Sequence, residues 1–161
     1  MRLSKGVEWA THACTTMVAL PEGKGLSTED LAEYFDLPSA YLAKQLQALR
    51  RAGILESVRG QSGGYRLARD PGKISLWDIV DAIEGGETAF RCTEIRQNGP
   101  CGAKRSDCRK PCEIAAAFWH AEAAWREALK RETLAGIIGS FAAKADPERM
   151  RLIADWRDSR L

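Results

Sequence analysis

Four cysteines, Cys92, Cys101, Cys108 and Cys112, fall within 21 residues at the spacing C-x8-C-x6-C-x3-C. In a reducing cytosol, thiols crowded in this way serve metal binding or redox chemistry rather than structural disulfides. The spacing lacks the close C-x2-C pairs of zinc ribbons and fingers. Iron–sulfur clusters take thiolates and accept nitrogen or oxygen ligands that alter their potential. A second donor group stands in KGVEWATHAC (5–14), where Glu8 and His12 lie one helical turn apart with Trp9 beside them. Set against the ligand reading is a solvated Glu–His helix pair, worth a few tenths of a kcal/mol. The fifth cysteine, Cys14, falls on the apolar side of the same helix and reads as a small buried hydrophobe.

The elements that must position these groups follow from periodicity. Leu3, Val7, Ala10, Cys14 and Met17 recur at spacings of four and three and make one apolar face; Glu8, Trp9 and His12 occupy another sector. Ser27 or Thr28 caps a short helix to about Phe35, and Leu37-Pro38-Ser39 breaks the chain. Ser39 caps a longer helix to about Ala52, with Leu42, Leu46 and Leu49 turned inward and Gly53 as its stop. Strands at 54–58 and 65–68 flank the glycine-rich tip RGQSGG. A helix capped by Ser75 then runs to Glu84, with Ile79, Val80 and Ile83 docking it. The fold class is mainly α with a small β-hairpin wing: a winged helix-turn-helix plus a long dimerisation helix.

Between residues 38 and 69, six Lys/Arg (Lys44, Arg50, Arg51, Arg59, Arg66, Arg69) face one acid, Glu56, a local charge of +5 where the whole chain carries +2. This favours double-stranded DNA as partner over a solvated basic surface. The second helix of the pair enters the major groove by its N-terminal residues, so Ser39, Tyr41, Lys44 and Gln45 are the expected readers, joined at the wing tip by Arg59, Gln61 and Ser62. Arginine at such a tip suits a narrow A/T minor groove.

The stretch 87–111 has no helical or strand periodicity and reads as a cysteine-rich cluster-binding loop. From Pro111 a helix of about 20 residues carries Ile114, Phe118, Ala121, Trp125 and Ala128 on one side, a homodimerisation face. A final helix over 147–157 packs through Met150, Ile153 and Trp156, and His120 is a packing or surface residue. Three segments result: a DNA-binding domain 1–86, the loop 87–111, and a dimerisation and C-terminal part 112–161. At 17.8 kDa and 45% hydrophobic content the chain can bury a core. It shows no apolar run of about 20 residues and no cleavable leader, so the expected location is cytoplasmic without membrane association. No nucleophile elbow, P-loop or dinucleotide fingerprint points to an enzyme.

YLAKQLQALRRAGILESVRGQSGGYRLAR (41–69) closely resembles the recognition helix and wing of the winged-helix iron–sulfur transcription regulators that include IscR, NsrR and RsrR. MRLSKGVEWATHAC and FRCTEIRQNGP are most similar to the RsrR branch. That resemblance implies a redox-sensing regulator, a repressor, with a [2Fe–2S] cluster held by Glu8 and His12 of one subunit and Cys92 and Cys112 of the other. It also implies that Trp9 moves with cluster state. Cys108 ranks next among the ligands and Cys101, additional to the branch pattern, last. The alternatives are a nitric-oxide sensor with a [4Fe–4S] cluster and a metal-free switch through a Cys108–Cys112 disulfide.

Overall fold

The computed structural model describes residues 2–60 and 63–161. Among them the helices α1 (Lys5–Met17), α2 (Thr28–Phe35) and α3 (Ser39–Arg51) precede the strands β1 (Leu55–Val58) and β2 (Gly64–Leu67). Then come α4 (Leu76–Glu84), α5 (Glu113–Arg131), α6 (Leu134–Ala142) and α7 (Pro147–Asp158). This is the expected winged helix, extended by three further helices.

Two helix starts are reciprocal capping boxes, each satisfying two amides that a helix leaves without partners. At α2 the Asp30 N–H donates to the Ser27 hydroxyl (3.0 Å), and the Ser27 N–H donates to the Asp30 carboxylate (3.0 Å). Ser75 and Asp78 repeat the arrangement at α4. α3 departs from expectation: Pro38, with φ −64°, takes the flanking position and no side chain caps the helix. The proline ring already fixes that backbone, so Ser39 is the first helical residue and lies exposed.

Leu26, Leu31, Leu42, Leu46, Leu49, Ile54, Leu55, Ile74 and Ile79 form the core, all at most 1% exposed. From α1 it receives Ala10, Ala13 and Cys14, each at 0%. Burial pushes the Cys14 thiol up to about 12, as befits a hydrophobe rather than a ligand. Leu3 does not join this face: it precedes α1 and is 41% exposed. The chain enters α1 tethered by the Ser4 N–H, which donates to the Glu84 carboxylate at the end of α4 (2.9 Å).

β1 and β2 pair antiparallel with Leu55 opposite Leu67 and Glu56 opposite Arg66, the latter pair bridged at 2.7 Å. Leu26 exchanges two backbone hydrogen bonds with Tyr65 (3.0 and 2.8 Å), anchoring the wing to the segment before α2. That approach needs a glycine. Gly64 has φ +144°, and a Cβ there would sit 2.2 Å from the Leu26 carbonyl oxygen.

Three features of the second half were not legible. The cysteine segment carries two 3-10 turns, Ile95–Gln97 and Arg105–Cys108. α5 begins at Glu113 because Cys112 takes the capping position. α6 is a separate helix, capped by Thr133. Its entry is fastened to the start of α4: the Leu76 N–H donates to the Glu132 carbonyl (2.8 Å) and the Leu134 N–H to the Ile74 carbonyl (3.0 Å). Leu134 is consequently 0% exposed, in the core of the winged helix. On α7, Trp156 packs against Tyr34 with ring centroids 4.4 Å apart and tilted at 53°, and Ile153 is half-buried, whereas Met150 is 38% exposed and lies off the packing face. No helix of the described residues is long and apolar enough to cross a membrane.

If Leu134 anchors α6, Leu134→Ala should cost about 2–5 kcal/mol. Leu152→Ala, at a side chain left 59% exposed, should stay within about 0.5 kcal/mol. Urea unfolding of the two variants measures both.

Candidate nucleic-acid interface and metal half-sites

α1 divides its exposed residues between two directions. Glu8 and His12 border an apolar groove of about 260 Å³ shared with Val7, Leu76, Val80 and Leu129. The two side chains form no ion pair with each other, and among the described residues the Glu8 carboxylate has no hydrogen-bond partner. Both side chains are exposed. The His12 ring is exposed and tilts over Phe35 at 5.5 Å. Trp9 turns the other way, edge-on to Tyr41 of α3 with ring centroids 5.1 Å apart.

The cysteine segment is built on α5. The buried Glu122 carboxylate accepts the Ala89 N–H (3.1 Å) and pairs with Arg126 (2.6 Å). Arg126 also donates to the Gly86 and Glu87 carbonyls and lies over the Trp77 ring. The Trp119 indole donates to the Phe90 carbonyl (3.2 Å), and Phe90 stacks on Phe118 at 4.5 Å. These contacts bring the chain to Cys92, which is half-buried. At the far end Cys112 is 8% exposed, and its sulfur accepts the Ala115 N–H at the start of α5 (3.3 Å). Cys108 is half-buried and Cys101 exposed.

Between the two ends, the hydrogen bond from Arg96 holds the Glu94 carboxyl below its ordinary range. The same bond raises the Arg96 pKa, with Cys108 and Cys112 adding to the effect. Within one protomer no three of the described His, Cys, Asp and Glu side chains converge into a metal site. The donors fit an iron–sulfur group in kind, two thiols, a carboxylate and an imidazole, but as two half-sites on different elements.

On the basic face, Ser39, Lys44 and Arg59 are exposed, and Tyr41 is 43% exposed beside Trp9. Gln45 is half-buried: a Cβ on Gly6 of α1 would lie 3.0 Å from its amide group. Gln61 and Ser62 lie outside the described residues. Sequence reasoning did not single out Gln47, which lines a groove with Arg50 and Arg51 toward the end of α3. It also missed Glu94, Arg96, Trp119, Glu122 and Arg126. The i,i+4 spacing of Glu122 and Arg126 was the one available signal.

Known proteins are similar to this chain. The chain is 30% identical over 159 residues to an HTH-type transcriptional regulator of Mycobacterium tuberculosis, covering 96% of this chain and 89% of the relative. A match to the HTH-type regulator BadM of Rhodopseudomonas palustris is 40% identical over 84 residues, spanning 52% of this chain and only about half (53%) of that protein. Among solved structures, CymR, the global cysteine regulator of B. subtilis, is similar with a TM-score of 0.66 and 21% identity, covering 91% of this chain and 99% of that one. IscR of T. potens also gives 0.66, at 23% identity, covering 94% and 96%. At these identities the structures show a common fold. The pattern of the Rrf2 family, described as an iron-dependent transcriptional regulator, matches residues 3–140. With its winged helix, basic recognition face and full-length relative, the chain belongs to the Rrf2 family of transcriptional regulators.

Proposed function

We propose that this chain is a dimeric, DNA-binding repressor of the RsrR type. It senses redox state through a [2Fe–2S] cluster held by Glu8 and His12 of one protomer and Cys92 and Cys112 of the other. The observation that carries this reading is the Trp9–Tyr41 contact, which joins the helix bearing Glu8 and His12 to the N-terminal end of the recognition helix. When bound, the cluster supplies a one-electron change of charge at the protomer boundary. The thiols of Cys92 and Cys112 would hold one side, where the Ala115 N–H at the start of α5 donates to the Cys112 sulfur. On the other side, the Glu8 carboxylate and a ring nitrogen of His12 are free of competing ion pairs among the described residues. A displacement of that side of α1 passes to Trp9, one residue along, and through its ring to Tyr41. The two-state element is the seating of Trp9 against Tyr41, biased by charge at the neighbouring donors.

A second reading keeps the fold and dispenses with iron: Cys108 and Cys112, both within electrostatic reach of the Arg96 guanidinium, lose two electrons and two protons to an oxidant and form a disulfide. Iron and sulfide assays with absorption and EPR spectra of anaerobically purified protein separate the two. Bound iron with a [2Fe–2S] spectrum supports the first. Iron-free protein with an oxidisable Cys108–Cys112 pair supports the second.

On a selected operator at fixed salt, Lys44→Ala should cost about 1–3 kcal/mol if Lys44 makes a base contact. Arg59→Ala should weaken binding chiefly at A/T-flanked sites. Parent-like binding by both variants would remove the winged helix as DNA reader.

The dimer rests on the outward face of α5, where Ile114 is 65% and Phe118 53% exposed. Ile114→Glu should yield a monomer by sedimentation with unchanged helical content and lose iron together with dimerisation.

Trp9→Ala should keep iron and spectrum while narrowing the difference in operator affinity between oxidised and reduced protein. The double Glu8→Ala/His12→Ala variant should lose or remodel the cluster, and full iron with an unchanged spectrum would overturn the ligand assignment.

A further inference from the structure

The segment between Cys92 and Cys112 is cross-tied by one side chain. The Arg96 guanidinium grips the Glu94 carboxylate with two parallel bonds, Nε to Oε1 at 2.5 Å and one terminal nitrogen to Oε2 at 3.0 Å. That terminal nitrogen also donates to the Lys110 carbonyl at 2.9 Å. The Arg96 carbonyl in turn accepts the Ala103 N–H at 2.8 Å. Glu94 lies two residues after Cys92 and Lys110 two residues before Cys112, so a single planar group spans the two ends of the segment. Glu94 has φ +55°, a left-handed backbone that a side chain other than glycine's adopts at a cost. The forked ion pair offsets that cost and locks the 3-10 turn over residues 95–97. Packing tightens the same place: a Cβ on Gly102 would lie 2.6 Å from the Gln97 carbonyl oxygen.

We infer that Arg96, forked onto Glu94 and bonded to the Lys110 carbonyl, is a positioning residue that clamps the cysteine segment shut and sets how Cys92 and Cys112 are presented together. The clamp is a property of the metal-free chain; its consequence for cluster binding rests on the proposed ligand assignment. Lysine cannot replace it, because an ammonium keeps the charge but lacks the planar fork.

Hydrogen exchange of the iron-free full-length protein, read by mass spectrometry, tests the clamp. Peptides covering 93–112 report, and peptides from α2 and α3 serve as internal reference. Arg96→Ala and Arg96→Lys should both speed exchange in 93–112 roughly ten-fold or more, leaving α2 and α3 as in the parent. Glu94→Ala should do the same, and the double Glu94→Ala/Arg96→Ala variant should be no faster than either alone, because both remove one interaction. Parent-like exchange in Arg96→Ala would overturn the clamp, as would a lysine variant that behaves like the parent. Anaerobic reconstitution with ferrous iron and sulfide forms the second arm. Faster exchange with lowered iron content supports the clamp and the ligand assignment together. Faster exchange with full iron and an unchanged spectrum leaves the clamp standing and overturns Cys92 and Cys112 as the ligand pair.

Discussion

The packing of α1 into the winged-helix core is the constraint on which the other features depend. Ala10, Ala13 and Cys14 are small enough for α1 to lie close to its neighbours, and all three are fully buried. Gly6 extends the close approach to α3, where even one added carbon would press on Gln45. Interiors packed this tightly transmit displacement instead of absorbing it. A helix seated in this way presents its remaining side chains at fixed angles. Glu8 and His12 face the groove with α4 and α5, and Trp9 faces the recognition helix. In the proposed reading, a donor face and a DNA-reading helix thus share one rigid body. A regulator needs this if a charge change at one is to reach the other.

α5 does the corresponding work for the cysteines. A carboxylate buried without a partner costs several kcal/mol. Glu122 avoids this by accepting from Arg126 and from the Ala89 amide, and in doing so it fixes the chain that leads to Cys92. The N-terminus of the same helix takes up Cys112. The outward side of α5 meanwhile leaves Ile114 and Phe118 largely exposed, although Phe118 already stacks on Phe90 of the cysteine segment. In the proposed dimer, cysteine placement and subunit association are therefore coupled through one helix. This coupling supplies a physical reason for a donor set divided between protomers: thiols ride on the dimerisation helix, while carboxylate and imidazole ride on the DNA-binding domain.

The elements of the first 86 residues were legible because each is governed by local chemistry. Three- and four-residue spacing turned Leu42, Leu46 and Leu49 inward, and Ser75 and one of Ser27 or Thr28 were read as caps because a hydroxyl bonded to an amide three residues on is a short-range event; Ser27 takes the role at α2. The same logic failed at Ser39, where the proline before it had already set the backbone. It failed again at α6, whose nine residues include Gly136 and Gly139 and carry little helix propensity. That helix is secured by Thr133, by hydrogen bonds to the entry of α4 and by the burial of Leu134.

The residues able to do chemistry were visible in the sequence itself, since a run of four cysteines and a Glu–Trp–x–x–His helix face depend only on composition and helical pitch. What the sequence left open is how those residues are held and which way each points. Trp9 could have shared the groove with Glu8 and His12; it turns to Tyr41 because α3 crosses α1 there. The cysteine segment could have been a free loop. It is instead held by Glu94 and Arg96 within it and by Glu122 and Arg126 on α5. Local spacing and propensity are written into neighbouring residues and can be read one turn at a time. A hydrogen bond across 33 positions, such as Ala89 to Glu122, exists only once the chain has folded and the carboxylate has lost its water.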